Sequence, residues 1–366
     1  MEKSTAFVGL DVHKESIDVA LAEPGRSSSY GRFGGSAAAV DQIARKLGGH
    51  RRGLQFVYEA GPCGFWIYRR LVRKGYACMV VSPSMTPRRA GDRVKTDRRD
   101  ALNLAELACA GRLTPIYVPD ERDEAIRDLV RAREDVVCVQ RQARQRLQAL
   151  LLRHEIRYAG KTAWSAAHRR WLADIKLPDP AQQIAFEEYV QSIEEAEARL
   201  RRLAQVIGVH LETWRWKPLV DALQAFRGIH SIHGARIVAE LGDLTRFDSA
   251  RKLMGYLGLI PSEDSSGARR RQGSITKTGN RSARRALVEA AHAYAHPARV
   301  SRHIAKRQGA LSREVLDISW KAQVRLCARY RRLMARGVNK NKVTVAIARE
   351  LCGFVWSVGK IVKPVA

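Results

Sequence analysis

The sequence predicts an α/β domain, then a long helical segment, then a predominantly helical C-terminal third. Three observations carry this reading. Short β-rich runs alternate with helical stretches over residues 1–120, apolar residues fall at heptad spacing within 121–213, and residues 214–366 are helical, interrupted by glycines and strongly basic. Those ranges are taken as the three domains.

Residues 5–22, TAFVGLDVHKESIDVALA, contain two runs of alternating apolar positions separated by a polar turn, the pattern of a hairpin. A helix is expected at 36–48, a strand at 54–60 (LQFVYEA), a helix at 64–74, a strand at 76–82 (YACMVVS) and a helix at 98–110. Strands alternating with helices after an opening hairpin imply a mixed sheet, ending near Asp120. Further on, Phe186, Tyr189, Ile193, Ala196, Leu200, Leu203 and Ile207 follow one another at 3-4 spacing, a coiled-coil seam. A preceding helix over 121–154 carries Ile126, Leu129, Val136, Ala143, Leu147 and Leu150 at compatible spacing. Pro178 and Pro180 turn the chain between them, so an antiparallel helical hairpin is the economical reading, with pairing to a partner chain equally allowed.

The chain carries 65 Lys+Arg against 37 Asp+Glu, a formal charge of +28. Self-repulsion on that scale calls for an anionic partner, and nucleic acid leads. An acidic membrane surface is the rival, but there is no run of about 18 apolar residues, and the N-terminus MEKSTAFVGLDVHKE lacks a signal-peptide core. A soluble cytoplasmic protein is expected. The six cysteines are scattered, with no C-x-x-C pair, and read as reduced thiols. His292 and His296 lie four apart, yet HAYAH lacks the glutamate of a zinc-protease motif.

Asp11 ends the apolar run VGLD and Glu59 ends FVYE, so each sits at the carboxyl end of a strand. Asp97 and Asp100 stand three apart at a helix start and share a face. Taken singly, these are a turn residue, a surface acid, a helix cap and a favourable first-turn charge. Taken together, they can converge, and convergence becomes favourable when hard divalent cations such as Mg²⁺ or Mn²⁺ supply the opposite charge. Such a site suits phosphoryl transfer.

In the C-terminal third, FRGIHSIHGARIVAELG (226–242) has the glycine-turn-helix pattern of a helix-hairpin-helix, which presents backbone N–H groups to a phosphate, or else is a tight helix connection. Then a Gly- and Ser-rich loop, packed with Arg269, Arg270, Arg271, Lys277 and Arg281 and followed by Arg284, leads into a helix. Guanidinium forks there would bind nucleic-acid phosphates, and a serine could attack one. Chemistry alone does not distinguish Ser262, Ser265, Ser266 and Ser274. The last helices add Arg325, Arg329, Arg331, Arg332 and Arg336, with few acids beside them.

The succession GLDVHKESIDVAL, VYEAGPCGFW and VKTDRRDALNLAEL resembles the N-terminal domain of the DEDD transposases of bacterial insertion sequences, the bridge-RNA-guided recombinases. That domain is similar to the Holliday-junction resolvase RuvC, with an RNase H-like fold. The resemblance implies that Asp11, Glu59, Asp97 and Asp100 are metal-binding acids. The pattern G-L-x-P, four residues, S-G, a basic stretch and K-x-G resembles the C-terminal transposase domain of the same group, and its nucleophilic serine falls on Ser266, with Ser265 one residue away. It further implies DNA as substrate, a structured guide RNA, and composite sites in a homo-oligomer, a dimer or tetramer, in which the serine reaches another subunit's acids.

Other classes make different demands. A RuvC-like metal-dependent nuclease would use the acids without the serine. An ATP-binding actin-like protein shares G-L-D-x-x-K but requires further phosphate and adenosine loops that the sequence lacks. A non-catalytic nucleic-acid binder explains the charge and leaves the four acids without a purpose.

Overall fold

The opening hairpin forms as β1 (Thr5–Val12) and β2 (Ser16–Glu23), antiparallel and joined by a turn in which the His13 N–H donates to the Ser16 carbonyl at 2.8 Å. In this computed structural model the described residues are 5–48, 53–87, 96–264, 266 and 271–365. A strand not expected from the sequence, β3 (Arg26–Gly34), pairs antiparallel with β2. Its sequence RSSSYGRFG offers no alternating apolar row, because it forms the sheet edge. After α1 (Ala37–Lys46), β4 (Gly53–Glu59) runs parallel to β1; after α2 (Trp66–Arg73), β5 (Ala77–Val81) runs parallel to β4. The order is β3-β2-β1-β4-β5.

Alternation along β1 sorts two faces. Ala6, Val8 and Leu10 pack with Val40 and Ile43 of α1 and Ile67 and Leu71 of α2. Gly9, on the opposite face, meets α3 (Asp97–Cys109): a Cβ added to Gly9 would stand 2.7 Å from the Ala105 nitrogen and closer still to the Ala101 carbonyl. Ala20 and Ala22 of β2 pack against Ala101 and Ala105 beside it. Small residues thus let α3 lie directly on the first two strands, with its N-terminal end at the carboxyl end of β1.

The chain divides into two compact units, one of Met1–Pro119 with Met254–Arg281 and one of Asp120–Leu253 with Ser282–Ala366. The Ser-rich segment therefore belongs with the sheet domain, whereas the three-way sequence division put it with 214–366. It has few apolar residues for a core of its own, and it is tied in by hydrogen bonding, the Gly279 N–H donating to Ser84 Oγ at 3.2 Å. Within it, β6 (Pro261–Glu263) and β7 (Gln272–Ile275) make a small antiparallel ribbon.

In the second unit α4 (Glu121–Arg153) and α6 (Pro180–Glu212) are 33 residues each, about 50 Å long, and pair antiparallel, with α5 (Ala166–Ala173) packed near their connecting end. Phe186, Ile193, Ala196 and Ile207 of the expected seam are buried, and Phe186 and Ile193 pack in one cluster with Ala143, Leu147 and Leu150 of α4. The chain thus covers that part of its own seam, leaving less of it for a partner than the sequence allowed. At the base, buried Asp123 accepts hydrogen bonds from Trp214 Nε1 at 2.7 Å and Trp216 Nε1 at 3.2 Å.

Helices α7 (Lys217–Leu223), α8 (Ser231–Leu241), α9 (Ala250–Tyr256), α10 (Arg281–Ala291), α11 (Arg302–Gln308), α12 (Arg313–Ala335) and α13 (Lys340–Ile361) complete the order. Gly228 has φ +82°, and its missing Cβ lets the turn before α8 approach the Ala290 carbonyl; Gly234 likewise approaches the Val220 carbonyl. Both glycines of the expected helix-hairpin-helix thus serve close helix packing. Arg325 and Arg329 both donate to Glu350 at 2.7 Å, so two of the five C-terminal arginines have an acid beside them after all. Among the described residues, no helix is long and apolar enough to cross a membrane.

Candidate active site

Asp11 lies at the end of β1 on the α3 face, two residues beyond Gly9. Its register partner on β2 is Asp18. On the other side, Leu10 is in register with Tyr58, and the next residues along the two strands are Asp11 and Glu59. Asp97 and Asp100 come from the first turn of α3, whose N-cap is Thr96.

The two elements bring three donor atoms together: carboxylate oxygens of Asp11 and Asp97 and a ring nitrogen of His13 lie within 4.8 Å of one another. His13 Nε2 stands 3.1 Å from Asp11 Oδ2 and 3.4 Å from Asp97 Oδ1. Burial pushes the Asp11 carboxyl above its ordinary range; His13 opposes this, and the charges of Asp100 and Asp97 add to it. Asp100 is thus near enough to act on Asp11 electrostatically. Glu59, half-buried, is not among the three converging donors.

Three residues that the motifs did not single out complete the arrangement. His13 stands in the turn just beyond β1, and its ring reaches both Asp11 and Asp97. Asp18 is nearly buried, and Arg32 of β3 donates to it at 2.9 Å from Nε while its Nη2 reaches Asp97 Oδ2 at 2.8 Å. Arg32 therefore holds Oδ2 of Asp97 and leaves Oδ1 toward His13. The cross-strand symmetry of GLDVHKESIDVAL was the available signal for Asp18; nothing in a polar edge strand signalled Arg32.

On the Ser-rich segment Ser266 is exposed. Ser262 is committed to the ribbon, its hydroxyl donating to the Ser274 carbonyl at 3.1 Å. Arg271, Lys277 and Arg281 are exposed and Arg284 is half-buried. Ser265, Arg269 and Arg270 lie outside the described residues.

The sequence is similar to known proteins along most of its length. A model of the IS110-type DEDD transposase matches residues 8–155, and a model of the IS116/IS110/IS902 transposase family matches residues 220–305. The protein y4qE of Sinorhizobium fredii, which carries a transposase name, is 42% identical over 97% of this chain and 88% of its own. The transposase for insertion sequence element IS1533 of Leptospira borgpetersenii is 27% identical over 91% of this chain and 98% of its own. The transposase for IS1111A of Coxiella burnetii is 21% identical over 80% and 78%. A DEDD transposase domain implies an RNase H-like fold, in keeping with the mixed sheet, and dependence on a divalent metal. The residues present fit such an ion, since crowded carboxylates around a half-buried Asp11 are eased by a cation. Likeness that extends along nearly the whole chain places it in the IS110/IS116/IS902 family of transposases, enzymes that cut and rejoin DNA.

Proposed function

We propose that this transposase cuts DNA with Mg²⁺ or Mn²⁺ held by Asp11, Glu59, Asp97 and Asp100, and joins it through Ser266, at sequences chosen by a structured RNA. The observation that carries the reading is the convergence of Asp11 and Asp97, from separate elements, on one face of the sheet. A divalent ion there supplies Lewis-acid polarisation of a phosphate and charge neutralisation at the leaving oxygen.

The chain's own residues set the rest. Asp11 is held at a strand end, and Arg32 fixes the rotation of Asp97. Arg271, Lys277 and Arg281 surround the Ser266 segment with positive charge that would seat a phosphodiester. Ser266 Oγ attacks phosphorus; the Oγ–P bond forms as the bond to one deoxyribose oxygen breaks. The serine proton leaves to solvent and the displaced oxygen gains one, so the ester is conserved and rejoining needs no external energy.

The RNA and the oligomer rest on the family likeness and on the charge of +28. That Met254–Arg281 belongs to the same compact unit as the acids supports delivery of Ser266 within one chain, whereas delivery between subunits rests on the family likeness.

Asp11→Asn or Asp97→Asn is expected to abolish strand cleavage, at least a hundredfold on the scale of losing a key catalytic charge, on the order of 3 kcal/mol. Nucleic-acid binding should stay nearly unchanged in a gel-shift assay, since no phosphate-binding cation is removed. Full recombination by either variant would reject the metal-site reading.

A further inference from the structure

We propose that His13 is itself a ligand of the divalent ion, so that the site is a mixed nitrogen–oxygen set and not the all-oxygen set expected of four acids. This rests on the reading of Asp11 and Asp97 as metal ligands. In the β1–β2 turn the His13 N–H donates to the Ser16 carbonyl, which fixes the backbone where the ring departs. From this turn the ring reaches the first turn of α3, and Nε2 comes 3.1 Å from Asp11 Oδ2 and 3.4 Å from Asp97 Oδ1.

Neighbouring ligands of an octahedral ion, each roughly 2.1 Å from it, are about 3 Å apart, so Nε2 stands from each carboxylate oxygen as a neighbouring ligand would, and all three donors lie within 4.8 Å of one another. A hydrogen-bonding role satisfies this geometry less completely. One ring nitrogen carries at most one proton and can donate it well to one carboxylate, whereas Nε2 is shared between carboxylates from two different elements. With the proton on Nδ1, the Nε2 lone pair is presented between them, as metal binding requires. Arg32 in turn occupies Asp97 Oδ2, which leaves Oδ1 as the oxygen that faces His13.

An imidazole in the set alters metal preference. Imidazole nitrogen favours first-row transition ions over Mg²⁺, whereas carboxylate and water ligands suit Mg²⁺ well, so the site should prefer Mn²⁺ to Mg²⁺ more strongly than a purely carboxylate site does.

The test is pulsed electron paramagnetic resonance on the full-length protein loaded with Mn²⁺ alone, with Mn²⁺ affinity measured in parallel. The expected result is nitrogen modulation of the Mn²⁺ echo in the wild-type protein. In His13→Ala the modulation should be lost and Mn²⁺ bound at least about tenfold more weakly, with less discrimination against Mg²⁺. Mn²⁺ bound at Asp11, as shown by its loss in Asp11→Asn, but without nitrogen modulation would overturn the inference and leave the acid site standing. If wild type and Asp11→Asn bind Mn²⁺ alike, or neither binds it, the acid-site reading fails and the inference with it. The wild-type signal needs no substitution, so the outcome does not depend on the folding of the His13 variant.

Discussion

Arg32 touches two carboxylates at once, one nearly buried on β2 and one in the first turn of α3. Removing its guanidinium leaves Asp18 without that partner and frees Asp97 to rotate. Arg32→Gln is expected to lower the thermal midpoint by a few degrees and to weaken Mn²⁺ binding. Asp18→Asn in the same chain should restore part of the stability and not the metal affinity, a coupling that a double-mutant cycle in thermal unfolding and Mn²⁺ titration would read. Equal and additive losses would contradict the positioning role. At this scale the motifs drew attention to residues that lie together in space, Asp11 on a strand and Asp97 at a helix start. The sequence was silent on Arg32, whose strand has no apolar alternation to announce it, and on His13, whose ring is brought to the acids by the turn after β1.

Among elements, the network at the junction of α4, α8 and α10 is the best placed to report on folding. Arg236 donates to Glu289 at 3.0 Å and to Ser282 Oγ at 3.0 Å, and Ser282 in turn donates to Glu134 at 2.6 Å. Burial raises the Glu289 carboxyl, but hydrogen bonds from His233 and Arg285 and the charges of Arg236 and Arg285 outweigh it, bringing the value down to about 2 from 4.5. A carboxyl depressed in the folded state stabilises at pH above its unfolded value, and that contribution is lost as pH falls through the folded value. Stability should therefore decline between about pH 4.5 and 2. Glu289 is 36% exposed, so solvent screening reduces the contribution to roughly 1–2 kcal/mol. Glu289→Gln should be less stable at neutral pH and show a shallower decline in that window by denaturant unfolding. An unchanged acid profile would remove Glu289 from the network. Helices and central strands were largely legible because each buries a periodic stripe; β3 was not, because an edge strand need not. Of the apolar positions expected along α6, Phe186, Ile193, Ala196 and Ile207 are buried, and heptad spacing specifies such a face without saying whose helix covers it.

For the whole molecule, the charge of +28 and the two sets of motifs point to one conclusion, a transposase acting on DNA, and the family likeness along 97% of the chain agrees. The one large feature beyond the reach of sequence was how the chain folds back, with the Ser-rich segment joining the unit that carries the acids. Such a return depends on contacts between residues far apart in sequence, for example Ser84 with Gly279, which no local pattern encodes. In the proposed chemistry the acids and Ser266 act together on one phosphodiester. Incubating the protein, its nucleic-acid partners and Mg²⁺ with DNA nicked near the crossover, then mapping any covalent protein–DNA adduct by peptide sequencing, reads that cooperation directly. An adduct on Ser266 is expected in the wild-type protein, none in Asp11→Asn, and none in Ser266→Ala despite normal complex formation. Cleavage that proceeds normally in Ser266→Ala, with no adduct in any protein, would make water the attacking group and refute the joint action of serine and acids.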